Sequence, residues 1–137
     1  MSRARVVACL SLWLLLGSGC SIASLLDDIE REHEKSNAVV CACTTQLYEL
    51  TCEGFIDDHL DPNDTCVVEA LELDKEASKE TLNCWLEVQK SHTECLEAEV
   101  DCLDYDTYLN SCNERLSDLQ ECPDLPPGVQ QALNLCG

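Results

Sequence analysis

Twelve cysteines in 137 residues constrain this chain more than any other feature. They are Cys9, Cys20, Cys41, Cys43, Cys52, Cys66, Cys84, Cys95, Cys102, Cys112, Cys122 and Cys136, spread over nearly the whole length. Thiols at that density in a short chain point to a disulfide framework, formed in an oxidising compartment and substituting for a large apolar core. Metal coordination is the competing use. Zinc sites favour paired C-x₂-C elements, and the sequence has none; Cys41-Ala42-Cys43 is too tight for that geometry. The lack of C-x-x-C also argues against a thiol oxidoreductase. His33, His59 and His92 stand singly among polar neighbours and read as surface histidines. No metal ligands and no cofactor are assigned.

The N-terminus has the organisation of an export signal spanning residues 1–19. Arg3 and Arg5 form a basic start, Val6 to Leu16 an apolar run, and Gly17-Ser18-Gly19 a small-residue exit. The apolar run is too short to cross roughly 30 Å of hydrocarbon as a helix. Loss of the signal removes Arg3 and Arg5, so the formal charge moves from −19 to −21. Such a field repels phosphate backbones, and no basic patch offsets it, so nucleic acid is excluded as a partner.

Parity then bears on Cys20. Cys9 leaves with the signal. If Cys20 carries lipid, ten cysteines remain for five disulfides; cleavage after Ala23 also leaves ten. Cleavage before an unmodified Cys20 leaves eleven and strands a thiol. "GSGC" resembles the end of a lipoprotein signal, where cysteine becomes the first mature residue. It departs from that pattern at Gly17, where leucine or valine is usual. The resemblance implies acyl chains such as palmitate on Cys20, which would anchor the protein at about 0.8 kcal/mol per buried CH₂. Soluble secretion is the alternative. The ten remaining cysteines (Cys41, Cys43, Cys52, Cys66, Cys84, Cys95, Cys102, Cys112, Cys122 and Cys136) are assigned to disulfides.

The segments between loops read as helix, which makes the fold class all-α: a small disulfide-stapled bundle of helical hairpins with about four to five helices. Ser24 is a candidate cap, followed by "LLDDIEREHEKS" at 25–36, a charged stretch that reads as a solvated helix or a tether, so residues 20–36 are taken as a lipid-anchored charged tether or N-terminal helix. The cysteine-rich domain is placed at 37–137. Its first helix runs from about Asn37 to Asp58, with Cys41, Thr45, Tyr48, Cys52 and Phe55 on one face. A turn at 59–65 leads to a short helix over 66–76, and Ser78 is the expected cap of a longer helix reaching Glu99. Asp104 is the expected cap of another, with Tyr105, Leu109, Cys112, Leu116 and Leu119 in one stripe up to Cys122-Pro123. Pro127 opens a last short helix that closes at Cys136.

Residues facing one another across an antiparallel hairpin have nearly constant summed numbers. A hairpin turning near residues 100–103 therefore predicts Cys84–Cys122 and Cys95–Cys112, both pairs lying about three turns apart along each helix. The other six cysteines allow fifteen connectivities, of which Cys52–Cys66 is favoured because it closes the 59–65 turn.

The nine-residue gaps between Cys102, Cys112 and Cys122 resemble those of twin-cysteine proteins of the mitochondrial intermembrane space. Those proteins lack a cleaved secretory signal, so the likeness is one of physical solution. With its lipoprotein-like signal, acidic helical body and C-terminal "CPDLPPGVQQALNLC", the whole chain resembles small cysteine-rich exported proteins and lipoproteins of myxobacterial type. That resemblance implies a place in the bacterial cell envelope, at the outer membrane or cell surface, and no specific activity.

No G-x-S-x-G, phosphate loop or H-E-x-x-H occurs, and with 27 acids any one carboxylate pair is uninformative. No catalytic residue is assigned and the chain is not read as an enzyme. Asp57, Asp58, Asp61, Asn63 and Asp64 concentrate oxygens as a calcium loop would, but Pro62 replaces the glycine an EF-hand needs, so the stretch reads as a polar turn with a cap. Two functions remain. The first is a membrane-anchored structural or interaction module, held at the bilayer by lipid on Cys20, with an unidentified protein partner. The second is a carrier of a small apolar ligand, seated in a cavity near Tyr48, Phe55 and Trp85.

Overall fold

A computed structural model of the chain describes residues 21–48 and 64–136. Among them every regular element is helical: α1 (Ile22–Tyr48), α2 (Thr65–Glu72), α3 (Lys75–Glu99), α4 (Tyr105–Asn113) and α5 (Pro127–Leu133), with 3₁₀ segments at Cys102–Asp104 and Glu114–Glu121. Four disulfides cross-link them. The described part is thus an all-α, disulfide-stapled bundle, and bridges in this number mark an extracellular or otherwise oxidising environment.

The first helix begins earlier than expected. Ser21, not Ser24, caps it: the Ser21 hydroxyl accepts the Ser24 N–H at 3.1 Å, and its carbonyl accepts the Leu25 N–H at 3.1 Å. The charged stretch is helix and not tether, with only its outer face in solvent. Ile22, Leu25 and Leu26 are buried at 0–3% exposure, and α1 continues through residues 36 and 37 without a break. Its period explains the misreading. Apolar residues at 22, 25, 26 and 29 form one stripe, while Asp27 and Asp28 each pair with Arg31 on the outer face.

α1 and α3 lie side by side and run in the same direction. Their N-terminal halves meet in one apolar cluster, where Ile22 and Leu26 pack with Leu82 and Leu86, closed over by Leu71 of α2 and Val129 of α5. Their C-terminal halves meet in a second, where Cys43 and Leu96 pack with Tyr108 and Cys112 of α4. Polar bonds tie the two helices between these clusters. The buried Thr93 hydroxyl donates to the Gln89 carbonyl at 2.9 Å and the Glu32 carbonyl at 3.2 Å, and the Gln89 amide donates to Ser36 Oγ at 3.3 Å.

Aspartates supply the caps on the later helices. Asp64 accepts the Cys66 and Val67 N–H groups at 2.9 and 3.3 Å, and Asp74 accepts the Ala77 N–H at 3.3 Å. Ser78, expected as the cap of α3, lies inside the helix and is fully buried. Asp104 likewise makes no side-chain cap; Asp101 takes that role through the Leu103 and Asp104 N–H groups at 3.0 and 3.4 Å.

The expected helix from Tyr105 to Cys122 changes pitch at Glu114. In an unbroken α-helix, Cys112 and Cys122 would point about 80° apart. Tighter 3₁₀ winding advances each residue about 20° further, so the segment leaves the α-helical stripe, while Cys122 at its end still reaches Cys84 of α3. The apolar stripe ends with the change: Leu116 is half-buried and Leu119 37% exposed.

Cys95–Cys112 and Cys84–Cys122 fasten this segment antiparallel to α3, as the constant-sum reading expects. Cys43–Cys102 ties the end of α1 to the first 3₁₀ segment. The expected Cys52–Cys66 bridge is not formed. Cys66 bonds Cys136 instead, because α2 packs on α5 and brings its N-terminal turn to the chain's last residues. Cys41 is also disulfide-bonded, while Cys9, Cys20 and Cys52 lie outside the described residues.

Candidate functional site

Every described cysteine is committed to a disulfide, so the described part offers no thiol chemistry. Among the described residues, Cys95, Glu99 and Cys112 form a group of potential metal donors whose ligand atoms lie within 4.8 Å of one another. The two sulfurs are bonded to each other, which leaves one exposed carboxylate and no metal centre. Of the acidic loop, Asp64 is spent as the α2 cap, while Asp57, Asp58, Asp61 and Asn63 lie outside the described residues.

His92 is not the surface histidine expected. It is 7% exposed, on the side of α3 that faces α4, and its Nε2 lies 3.1 Å from Asn113 Oδ1. Polar neighbours in sequence hid this, since Ser91 and Thr93 are polar too and Thr93 is itself buried. His33 is half-buried on α1, and His59 is outside the described residues.

Tyr108 is buried beneath the α3–α4 contact with its hydroxyl unpartnered, its ring edge-on to Tyr105 at a centroid distance of 6.0 Å. Burial, with the neighbouring Tyr105 adding to it, raises its pKa above the ordinary 10.0. A phenol that holds its proton longer when folded stabilises the fold below the unfolded pKa and loses that contribution as pH rises through the folded value. Tyr108→Phe is therefore expected to flatten the fall of stability above about pH 10. At pH 7 it should cost little, because no hydrogen bond is lost. Urea titrations of both proteins between neutral and strongly alkaline pH check this; equal alkaline slopes would count against it.

Among the described residues, a groove around Trp85 has the shape to hold a ligand. The half-buried indole divides two hollows that both open to solvent. One, of about 430 Å³, is lined by Ile29, Trp85, Gln89, Leu119 and Gln120. The other, of about 290 Å³, runs from Trp85 and Leu119 past Pro123 and Asp124 to Leu125 and Gln130. The groove exists because the 3₁₀ segment turns Leu119 away from the core and toward Ile29 and Trp85. Trp85 was legible in the sequence as a cavity residue, but Leu119 was not, since an α-helical stripe would have buried it. Phe55 and the side chain of Tyr48, the other expected cavity residues, lie outside what is described.

No family model, curated protein or solved structure matches this chain. Its class therefore rests on the fold: an all-helical bundle stapled by disulfides, in which no described helix is long and apolar enough to cross a membrane.

Proposed function

We propose that the protein is an exported, cysteine-rich structural or interaction module without catalytic activity, held at a membrane by lipid on Cys20. The observation that carries this reading is the start of α1. Ser21 caps the helix and Ile22 is fully buried beside Leu82, so the fold uses residues immediately after Cys20. Cleavage after Ala23 would remove both the cap and a core side chain. Cleavage before Cys20 keeps them and puts the acceptor cysteine at the edge of the folded body. The cross-links give the rigidity that an exposed module needs, and the acidic surface favours partners or ligands that are cationic. The resemblance to exported proteins of myxobacterial type would imply a place for such a module in the bacterial cell envelope, at the outer membrane or cell surface.

Intact-mass analysis of membrane and soluble fractions tests the reading. The membrane form is expected to begin at Cys20 and to carry acyl mass, and to gain two hydrogens per bridge on reduction. Cys20→Ala should move the protein to the soluble fraction. A mature chain beginning at Ser24, or an unacylated Cys20, would overturn the anchor.

A second reading, a carrier of small apolar ligands, is favoured by the groove around Trp85. Its volume is in the range of small-molecule sites, although both hollows are open where a buried cavity was expected.

A further inference from the structure

We propose that the groove around Trp85 binds a small amphiphilic cation, its apolar body against Ile29, Trp85 and Leu119 and its ammonium group beside Asp124. This rests on the carrier reading and supplies the chemistry of the ligand. The larger hollow is bounded by an isoleucine, a leucine and an indole, which suits a short alkyl or aromatic body. The smaller hollow shares Trp85 and Leu119 with it, so one ligand can span both.

Charge decides the polar end. Asp124 is the single charged residue among those lining the two hollows. The chain carries −19 overall, so its field gathers cations and repels anions. An anion would meet no cationic side chain there, only neutral donors such as the Gln120 amide, since the Gln89 amide donates to Ser36 Oγ and the Gln130 amide to the Leu125 carbonyl at 2.6 Å. A cation meets the Asp124 carboxylate and the indole face together, and stacking on tryptophan is the strongest of the cation–π contacts. A neutral amphiphile would use the apolar hollow alone.

Trp85 reports on the site directly. The sequence has two tryptophans, and the other, Trp13, belongs to the export signal. Fluorescence of the purified exported protein is to be titrated with decyltrimethylammonium below its micelle concentration. Decyl maltoside and decyl sulfate serve as neutral and anionic matches. We expect a saturable shift of the Trp85 emission with the cation, about tenfold weaker binding of the neutral match, and none of the sulfate. Asp124→Asn should weaken the cation about tenfold, whereas Glu97→Gln, which removes the same charge from an exposed site on α3, should not. Equal binding of cation and neutral match overturns the proposal while leaving a carrier. So does an Asp124→Asn variant that binds like wild type, or one that Glu97→Gln equals. No saturable response to any probe overturns both the proposal and the carrier reading. The comparison of three probes on the unaltered protein needs no variant to fold.

Discussion

The Cys66→Ala/Cys136→Ala double variant is expected to lose about 4 kcal/mol of stability and to unfold at a clearly lower denaturant midpoint. This bridge spans 70 residues, the widest separation among the four. Restriction of the unfolded chain grows with the logarithm of the closed loop, so the widest bridge removes the most disorder. By the same relation the Cys95–Cys112 bridge, spanning 17 residues, contributes about 3 kcal/mol. The native state adds to the difference. α2 has 8 residues and α5 has 7, far below what holds an isolated helix in water. They stand because each packs on the other and on the first apolar cluster, and Cys66–Cys136 pins both. Guanidinium titrations of oxidised wild type, Cys66→Ala/Cys136→Ala and Cys95→Ala/Cys112→Ala give the ranking. If the wide bridge costs no more than the narrow one, packing alone holds α2 and α5 together and the entropic account fails here.

Helical class and the central hairpin were legible because both depend on spacing. Cys84, Cys95, Cys112 and Cys122 carry their register in their numbers, and a short turn near residue 100 leaves few alternatives. Cys66 carried no such information. Its partner follows from α2 lying on α5, a contact between a mid-chain segment and the C-terminal one that no local period encodes. The caps failed for a related reason. Ser24, Ser78 and Asp104 are suitable residues near each start, but Ser21, Asp74 and Asp101 stand a few places earlier, and packing chose among them. The Trp85 groove was half legible. An indole in a cysteine-rich bundle marks a place to look, yet the opposing wall depends on the 3₁₀ segment, where winding departs from the α period that sequence reading assumes.

Leu26→Ala is expected to cost about 2–5 kcal/mol, the range for deleting a buried leucine from a core that cannot fully collapse. Leu26 is 1% exposed and lies in the cluster with Leu71, Leu82 and Leu86, which four helices build together. Its neighbours in sequence, Asp27 and Asp28, are paired with Arg31 at the surface, so a polar run conceals one of the deepest side chains in the protein. Leu103→Ala is the control. Leu103 is 96% exposed in the 3₁₀ turn after α3, and its loss should stay within about 0.5 kcal/mol. Thermal unfolding separates the two, since 1 kcal/mol moves the midpoint by several degrees in a domain of this size. A Leu26→Ala protein as stable as Leu103→Ala would mean that the stretch after Cys20 is a tether. The large effect would mean that the folded bundle starts almost at Cys20. On the proposed anchoring of Cys20 by lipid, the first apolar cluster would then sit close to the bilayer, with no flexible linker between membrane and domain.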